Sequence, residues 1–185
     1  ESIASKMILY ELETTVKSPI LYVDMDGVLA DFYGPFNQMA GVSSWKDASK
    51  DTVSQVLRDI AKQKDFWINL DVLSDVPKLM SAIKILFGGE YKILSKALAG
   101  DKRVVAQKKQ WVQSNLQPQP NETIIMAATA NKGQYAKQAD GTPNILIDDF
   151  GYNIKAWRSA GGIGIQHTNG AVNNTVQQLQ AAIKK

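Results

Sequence analysis

The chain has 185 residues, 44% of them hydrophobic, enough for one domain with a proper core and at most a small insertion. Its 21 Lys and Arg against 18 Asp and Glu give a net charge of +3, which suits anionic partners without demanding nucleic acid. The absence of cysteine rules out disulfides, a thiolate nucleophile and Cys-ligated zinc, and a single His167 argues against Ser-His-Asp chemistry unless that residue is the base.

No stretch reaches the roughly 18 apolar residues of a membrane span, and the start lacks a basic segment followed by an apolar one, so a soluble, cytoplasmic protein is expected. Ile3, Met7, Ile8, Leu12 and Val16 fall near helical spacing, which predicts an amphipathic helix over residues 1–17 before the break at Pro19. Ile20 to Val23 is a short apolar run ending abruptly in Asp24-Met25-Asp26-Gly27, the pattern of a buried strand that delivers carboxylates at its carboxyl end. Residues 33–73 are aromatic-rich, carry a helical pattern over Val53 to Ile60, and are longer than one crossover helix needs. They read as a small helical cap inserted after the first strand.

Tyr91 to Leu94 predicts a second strand before Ser95-Lys96, and Thr123 to Met126 a third. Ile145 to Ile147 predicts a fourth, ending in Asp148-Asp149. From Asp101 to Leu116 the residues Val104, Val105, Lys108, Trp111, Val112 and Leu116 share a helical face, with Asp101 placed to cap the amino end. Gly161 to Gly164 reads as a glycine turn entering a fifth strand, His167 as a surface or loop residue, and Ala171 to Lys185 as a final helix. Strands alternating with helices predict a parallel α/β sheet in a single domain, with the core at about residues 18–32 and 74–185. In such sheets ligands bind beyond the carboxyl ends of the strands, so the polar strand ends should converge.

Their residue types suit phosphoryl transfer. Asp24 and Asp26 flank a tight turn, so one carboxylate can attack while the other sits near the leaving oxygen. With Asp148 and Asp149 they form an oxygen-rich cage suited to Mg²⁺, and Ser95, Lys108 and Lys132 can hold the remaining phosphate oxygens. A lone Asp-x-Asp-Gly is usually an ordinary turn. Here a buried-type strand precedes it and a second strand ends in Asp-Asp, which an ordinary turn leaves unexplained. By itself, Lys108 on an apolar helix face reads as a snorkelling side chain.

Leu21 to Phe32 (Leu-Tyr-Val-Asp-Met-Asp-Gly-Val-Leu-Ala-Asp-Phe) closely resembles the first motif of haloacid dehalogenase-type phosphatases, in the form found in the 5'(3')-deoxyribonucleotidases. The resemblance continues in order through Phe66-Trp67-x-Asn-Leu70, Ser95, Lys108-x-x-Trp111-Val112, Lys132 and Leu146-Ile-Asp-Asp149, covering roughly residues 20–164. It implies a Rossmann-like three-layer α/β/α core with a helical cap, and hydrolysis of a small phosphorylated substrate, a nucleoside monophosphate, without membrane partners. Asp24 would form the aspartyl-phosphate, while Asp26 would protonate the leaving group and then activate water. Magnesium would be held by Asp24, the backbone carbonyl of Asp26, and one or both of Asp148 and Asp149. Ser95, Lys96, Lys108 and Lys132 would contact phosphate, and Phe32 would line the nucleoside pocket. Trp67 is the other aromatic assigned to that pocket; Tyr33, Phe36, Trp45 and Phe66 read first as the cap's own small core.

Two features depart from the family pattern. Ser95-Lys96-Ala97 stands where Thr-Ser-Pro or similar is usual, and Tyr135 to Thr142 looks inserted between Lys132 and Asp148. Two rival readings follow: a 3'-phosphatase acting on nucleic-acid ends, of the polynucleotide-kinase type, which the cap should obstruct; and a non-catalytic binding or structural module of a larger assembly. Oligomeric state is not legible.

Overall fold

The computed structural model describes residues 17–97 and 101–184, so the helix expected over residues 1–17 lies outside the described residues but for Lys17. Each apolar run becomes a strand. In chain order the elements are β1 (Leu21–Val23), α1 (Tyr33–Ala40), α2 (Lys50–Lys62), α3 (Val76–Phe87), β2 (Lys92–Ala97), α4 (Lys102–Asn115), β3 (Glu122–Ala127), β4 (Ile145–Asp148), α5 (Gly151–Ser159), β5 (Ile163–Gln166) and α6 (Val172–Ala182). The strands form one parallel sheet in the order β3-β2-β1-β4-β5. Strand order reverses direction at β1, which places a crevice at its carboxyl end.

Alternation along the strands sorts side chains to two faces. Leu21, Val23, Ile93, Ile145 and Ile147 pack in one buried cluster with Leu79 and Ile83 of α3, Val104 and Trp111 of α4, and Leu179 of α6. Tyr22, Leu94 and Leu146 point the other way, onto Ile154 and Trp157 of α5. With helices on both faces, the arrangement is the three-layer α/β/α class expected.

Among the described residues one helix covers the second face, and the segment that looked inserted adds to the cover. A 3-10 turn over Lys132–Tyr135 brings Tyr135 to 5.8 Å from the Tyr22 ring, and the loop beyond it closes where Lys137 bridges Pro143. The glycine turn has a packing cause. Gly161 has φ +89°, and a Cβ on Gly162 would lie 2.3 Å from Nε1 of the fully buried Trp157, so this stretch serves the entry to β5.

Residues 33–73 carry α1, a 3-10 turn over Trp45–Asp47, and α2, capped by the Ser49 hydroxyl accepting from the Thr52 N–H at 3.1 Å. Buried Phe36, Val56, Ile60 and Phe66 join the main core cluster. The chain enters and leaves this region side by side: Ala30 bridges Val72, and the Asp31 N–H donates to the Asp71 carbonyl at 2.8 Å.

Two expectations are corrected. β2 does not stop at Leu94, because pairing with β3 continues through Ser95, Lys96 and Ala97. His167 is 1% exposed, neither surface nor free loop. Its Nδ1 lies 2.9 Å from the Thr175 hydroxyl of α6, and its Nε2 lies 3.5 Å from Asp75. A single histidine carries no periodic signal, so its burial is set by α6 folding back across the end of β5. Among the described residues, no helix is long and apolar enough to cross a membrane.

Candidate active site

Parallel pairing of β1 with β4 puts their carboxyl ends together, and the Asp24 N–H donates to the Ile147 carbonyl at 2.9 Å just past the last β1 residue. The next residues turn at once. The Met25 carbonyl accepts from the N–H groups of Leu29 and Ala30 at 2.8 and 2.9 Å, and Gly27 adopts φ +80°. A Cβ at Gly27 would lie 2.6 Å from Asp149 Oδ2 and 2.7 Å from the Tyr33 ring, so glycine is required for conformation and for space. The turn is sealed from below by Met25, Val28, Leu29 and Ala30, all fully buried.

Asp24, Asp148 and Asp149 each offer an oxygen within 4.8 Å of the others. Lys132, 1% exposed, bridges two of them, at 2.9 Å from Asp24 Oδ1 and 2.7 Å from Asp148 Oδ2. Burial pulls the Lys132 ammonium down, but the two carboxylates together outweigh it and hold its pKa above the ordinary value. Asp148 also accepts from the Phe150 N–H at 2.9 Å and from Asn153 Nδ2 at 3.0 and 3.2 Å.

Crowding of like charges has a clear signature. Burial, then the nearby Asp24 and Asp148, pushes Asp149 up to about 8, and burial with Asp24 pushes Asp148 up to about 6. Three carboxylates this close call for a cation. The donor set is all oxygen, which fits a hard divalent ion such as Mg²⁺.

The Asp26 carboxylate stands apart from this acidic group. Its Oδ2 pairs with Lys108, while its Oδ1 is buried with no hydrogen-bond partner among the described residues. Burial raises its pKa, against the pull of Lys108. Thus, of the four carboxylates read from sequence as a metal cage, the structure brings three side chains together.

Lys108 does not snorkel. It is fully buried, reaches Ser95 Oγ at 3.1 Å and the Lys96 carbonyl at 2.8 Å, and sits 4.3 Å from the centre of the Trp67 ring. Its helix packs one face on the sheet, so a stem four carbons long carries the ammonium to the strand ends rather than to solvent. Ser95 is 1% exposed, facing Lys108. Lys96 is half-buried, and burial followed by the Lys132 charge lowers its pKa.

The aromatics divide into two groups. Phe32 stacks on Trp67 with ring centres 5.3 Å apart and planes 5° apart, and Trp67 is only 4% exposed, so it backs Phe32 and Lys108 from within. Tyr33 instead lies against Asp149 and stacks on Trp45 at 5.7 Å, and Trp45 approaches Phe150 at 6.2 Å.

Sequence reasoning missed Asn153 and the placement of Tyr33 beside Asp149. Asn153 was traceable in principle, since it falls one helical turn beyond the Asp148-Asp149 strand end. Tyr33 had no such signal, because only the fold of the inserted region turns it toward β4. A cavity of about 720 Å³ lies at the other end of the sheet, lined by Leu21, Leu86, Tyr91 and their neighbours, and holds none of these groups.

No family model and no curated protein matches the chain. Solved structures that match include a predicted HAD-like family hydrolase from Porphyromonas gingivalis, 13% identical, with a TM-score of 0.49, covering 91% of this chain and 98% of its own. Another is a HAD family enzyme from Bacteroides thetaiotaomicron in complex with magnesium and inorganic phosphate, 16% identical, with a TM-score of 0.47 and coverage of 83% and 96%. A third is a phosphonoacetaldehyde hydrolase-like protein from Oleispira antarctica, 11% identical, with a TM-score of 0.47 and coverage of 90% and 84%. Scores this low carry no argument about activity, so the functional reading rests on the chain's own residues.

Proposed function

We propose that this chain is a magnesium-dependent phosphomonoester hydrolase of the haloacid dehalogenase type, acting on a small phosphorylated substrate, a nucleoside monophosphate, with residues 33–73 as its cap. The observation that carries this reading is the meeting of Asp24, Asp148 and Asp149 within 4.8 Å, with Lys132 held between two of them.

The recorded contacts of the Asp24 carboxylate, from the Met25 N–H at 2.8 Å and from Lys132, both fall on Oδ1. Oδ2 is therefore without a partner among the described residues, which suits a nucleophile. In the proposed reaction an Asp24 oxygen forms a bond to phosphorus as the ester P–O bond breaks, and Asp26 passes its proton to the departing alkoxide. A water then gives its proton to Asp26 and its oxygen to phosphorus, releasing phosphate and restoring Asp24. The Asp26 pKa is raised by burial, the direction a proton-donating carboxyl needs, and its unpartnered Oδ1 supports a place where a proton is exchanged. Asp24, Asp148 and Asp149 would hold the magnesium, whose charge offsets the repulsion between nucleophile and anionic substrate. Lys132, Lys108, Lys96 and Ser95 would bind the phosphate oxygens.

Asp24→Asn leaves the shape of the site intact and removes the nucleophile. Phosphate release from nucleoside monophosphates in Mg²⁺ should fall by at least about 10⁴-fold, in line with losses seen on removing a nucleophile. Turnover that survives in that variant would overturn the reading, as would turnover untouched by EDTA.

A further inference from the structure

Trp67, read from sequence as part of a nucleoside pocket, is 4% exposed and already occupied by Phe32 and Lys108. The groups proposed to meet the phosphate are buried as well: Lys108, Ser95 and Lys132 are each 1% exposed or less. A planar ring attached to the phosphate therefore has little room inward, and must lie at the rim.

One part of that rim is aromatic. Tyr33 lies against Asp149 and stacks on Trp45 at 5.7 Å, with planes 16° apart. Trp45 approaches Phe150, the residue after Asp149, at 6.2 Å, and Phe150 approaches Tyr152 at 6.2 Å. The series starts on the metal-side carboxylate and runs outward: Phe150 is 42% and Tyr152 71% exposed. It joins two separate elements, the inserted region and the β4–α5 turn. Phe150 stands at the start of α5 and Tyr152 in its first turn, and exposed rings that run together mark a binding surface where rings scattered singly would not. The phosphate end of a ligand would be fixed only a residue or two away, so a ring in the same ligand is well placed to cover them.

We infer that Trp45, Phe150 and Tyr152 form a stacking platform for the planar ring of a phosphorylated aromatic substrate, a nucleobase in the nucleoside monophosphates, and so set preference for such substrates. This rests on the phosphatase reading for its substrate. The platform itself is testable without turnover.

The substitutions Phe150→Ala and Tyr152→Ala suit the test because both side chains are exposed, and Ile85→Ala, 81% exposed on α3, serves as the control. With the full chain in Mg²⁺, the ratio of kcat/KM for a nucleoside monophosphate to that for glycerol phosphate should fall about 3- to 10-fold in each platform variant, mainly through KM, and stay unchanged in Ile85→Ala. Equal losses on both substrates, or no loss, would overturn the platform. In parallel, the quenching of tryptophan fluorescence by free nucleoside should weaken by a similar factor in Phe150→Ala and Tyr152→Ala, and quenching that is the same in all variants would also overturn it. If no phosphomonoester is hydrolysed but nucleoside binding still depends on Phe150 and Tyr152, the platform stands and the phosphatase reading fails.

Discussion

Two buried polar clusters lie at carboxyl ends of strands in this sheet, and they solve the problem of burial in opposite ways. Beside β5, His167 meets the Thr175 hydroxyl, and Asp75 is satisfied by the Gly170 N–H at 2.7 Å. One neutral ring and a few hydrogen bonds serve there, with His167 Nε2 left without a hydrogen-bond partner among the described residues. Between β1 and β4, three carboxylates crowd within 4.8 Å of one another and rely on a buried lysine. The first cluster joins α3, β5 and α6 and contains a single carboxylate, Asp75. The second keeps excess negative charge in place, which folding alone would not favour, since buried charges cost several kcal/mol unless compensated. Excess charge, rather than polar burial as such, sets the candidate site apart from the cluster beside β5.

Lys132→Met attacks that contrast at its strongest point. It leaves Asp24 facing Asp148 with no counter-charge, so the fold should lose about 3–5 kcal/mol, a fall in Tm of roughly 10 °C. Thermal unfolding in EDTA reads this directly, and a Tm within a degree or two of wild type would mean that the triad is better solvated than its burial implies. Mg²⁺ should recover part of the loss in this variant.

A gentler change sharpens the comparison. Asn153→Ala removes the amide that holds both Asp148 oxygens and leaves every carboxylate in place. Outer groups of this kind orient metal ligands, so the Mg²⁺ concentration for half-maximal activity, or for half of the Tm rise, should increase about 10-fold. An unchanged Mg²⁺ titration would show that the Phe150 N–H and Lys132 fix Asp148 without the amide.

The smallest effect is expected at His167. Burial lowers its pKa below the ordinary 6.5, with the Asp75 charge opposing. A histidine depressed in the folded state takes up its proton more readily when unfolded. Its contribution is complete above about pH 6.5 and is lost as pH falls from there toward the lower folded value, at no more than about 1.4 kcal/mol per pH unit. The difference in unfolding free energy between wild type and His167→Gln, measured from pH 8 to pH 5, should carry this slope, because the raised carboxylates act equally on both. Parallel curves would refute it.

Much of the fold was legible in the chain because its central strands β1 and β4 are buried on both faces, and such strands read as uninterrupted apolar runs. Ile145 to Ile147 and the run before Asp24 needed no more than that. The extension of β2 through Ser95 and Lys96 was not legible, since both residues look like a strand's polar end and only pairing with Ile125 and Met126 keeps them in the sheet. Lys108 shows the same limit in a helix. Its position on the apolar face was plain, but whether a long amphipathic side chain turns outward or inward depends on what lies across from it, here Asp26 and Ser95.

By itself, then, the chemistry of the chain determined the class of the sheet, the acidic strand ends and the glycine between Asp26 and Val28, because local propensity and apolar periodicity act over a few residues. Tertiary structure alone decided that Asp26 leaves the acidic group for Lys108, that Trp67 is sealed while Phe150 stays open, and that His167 is buried. Each of those outcomes depends on contacts between segments far apart in the chain, and no local pattern encodes the distance between them.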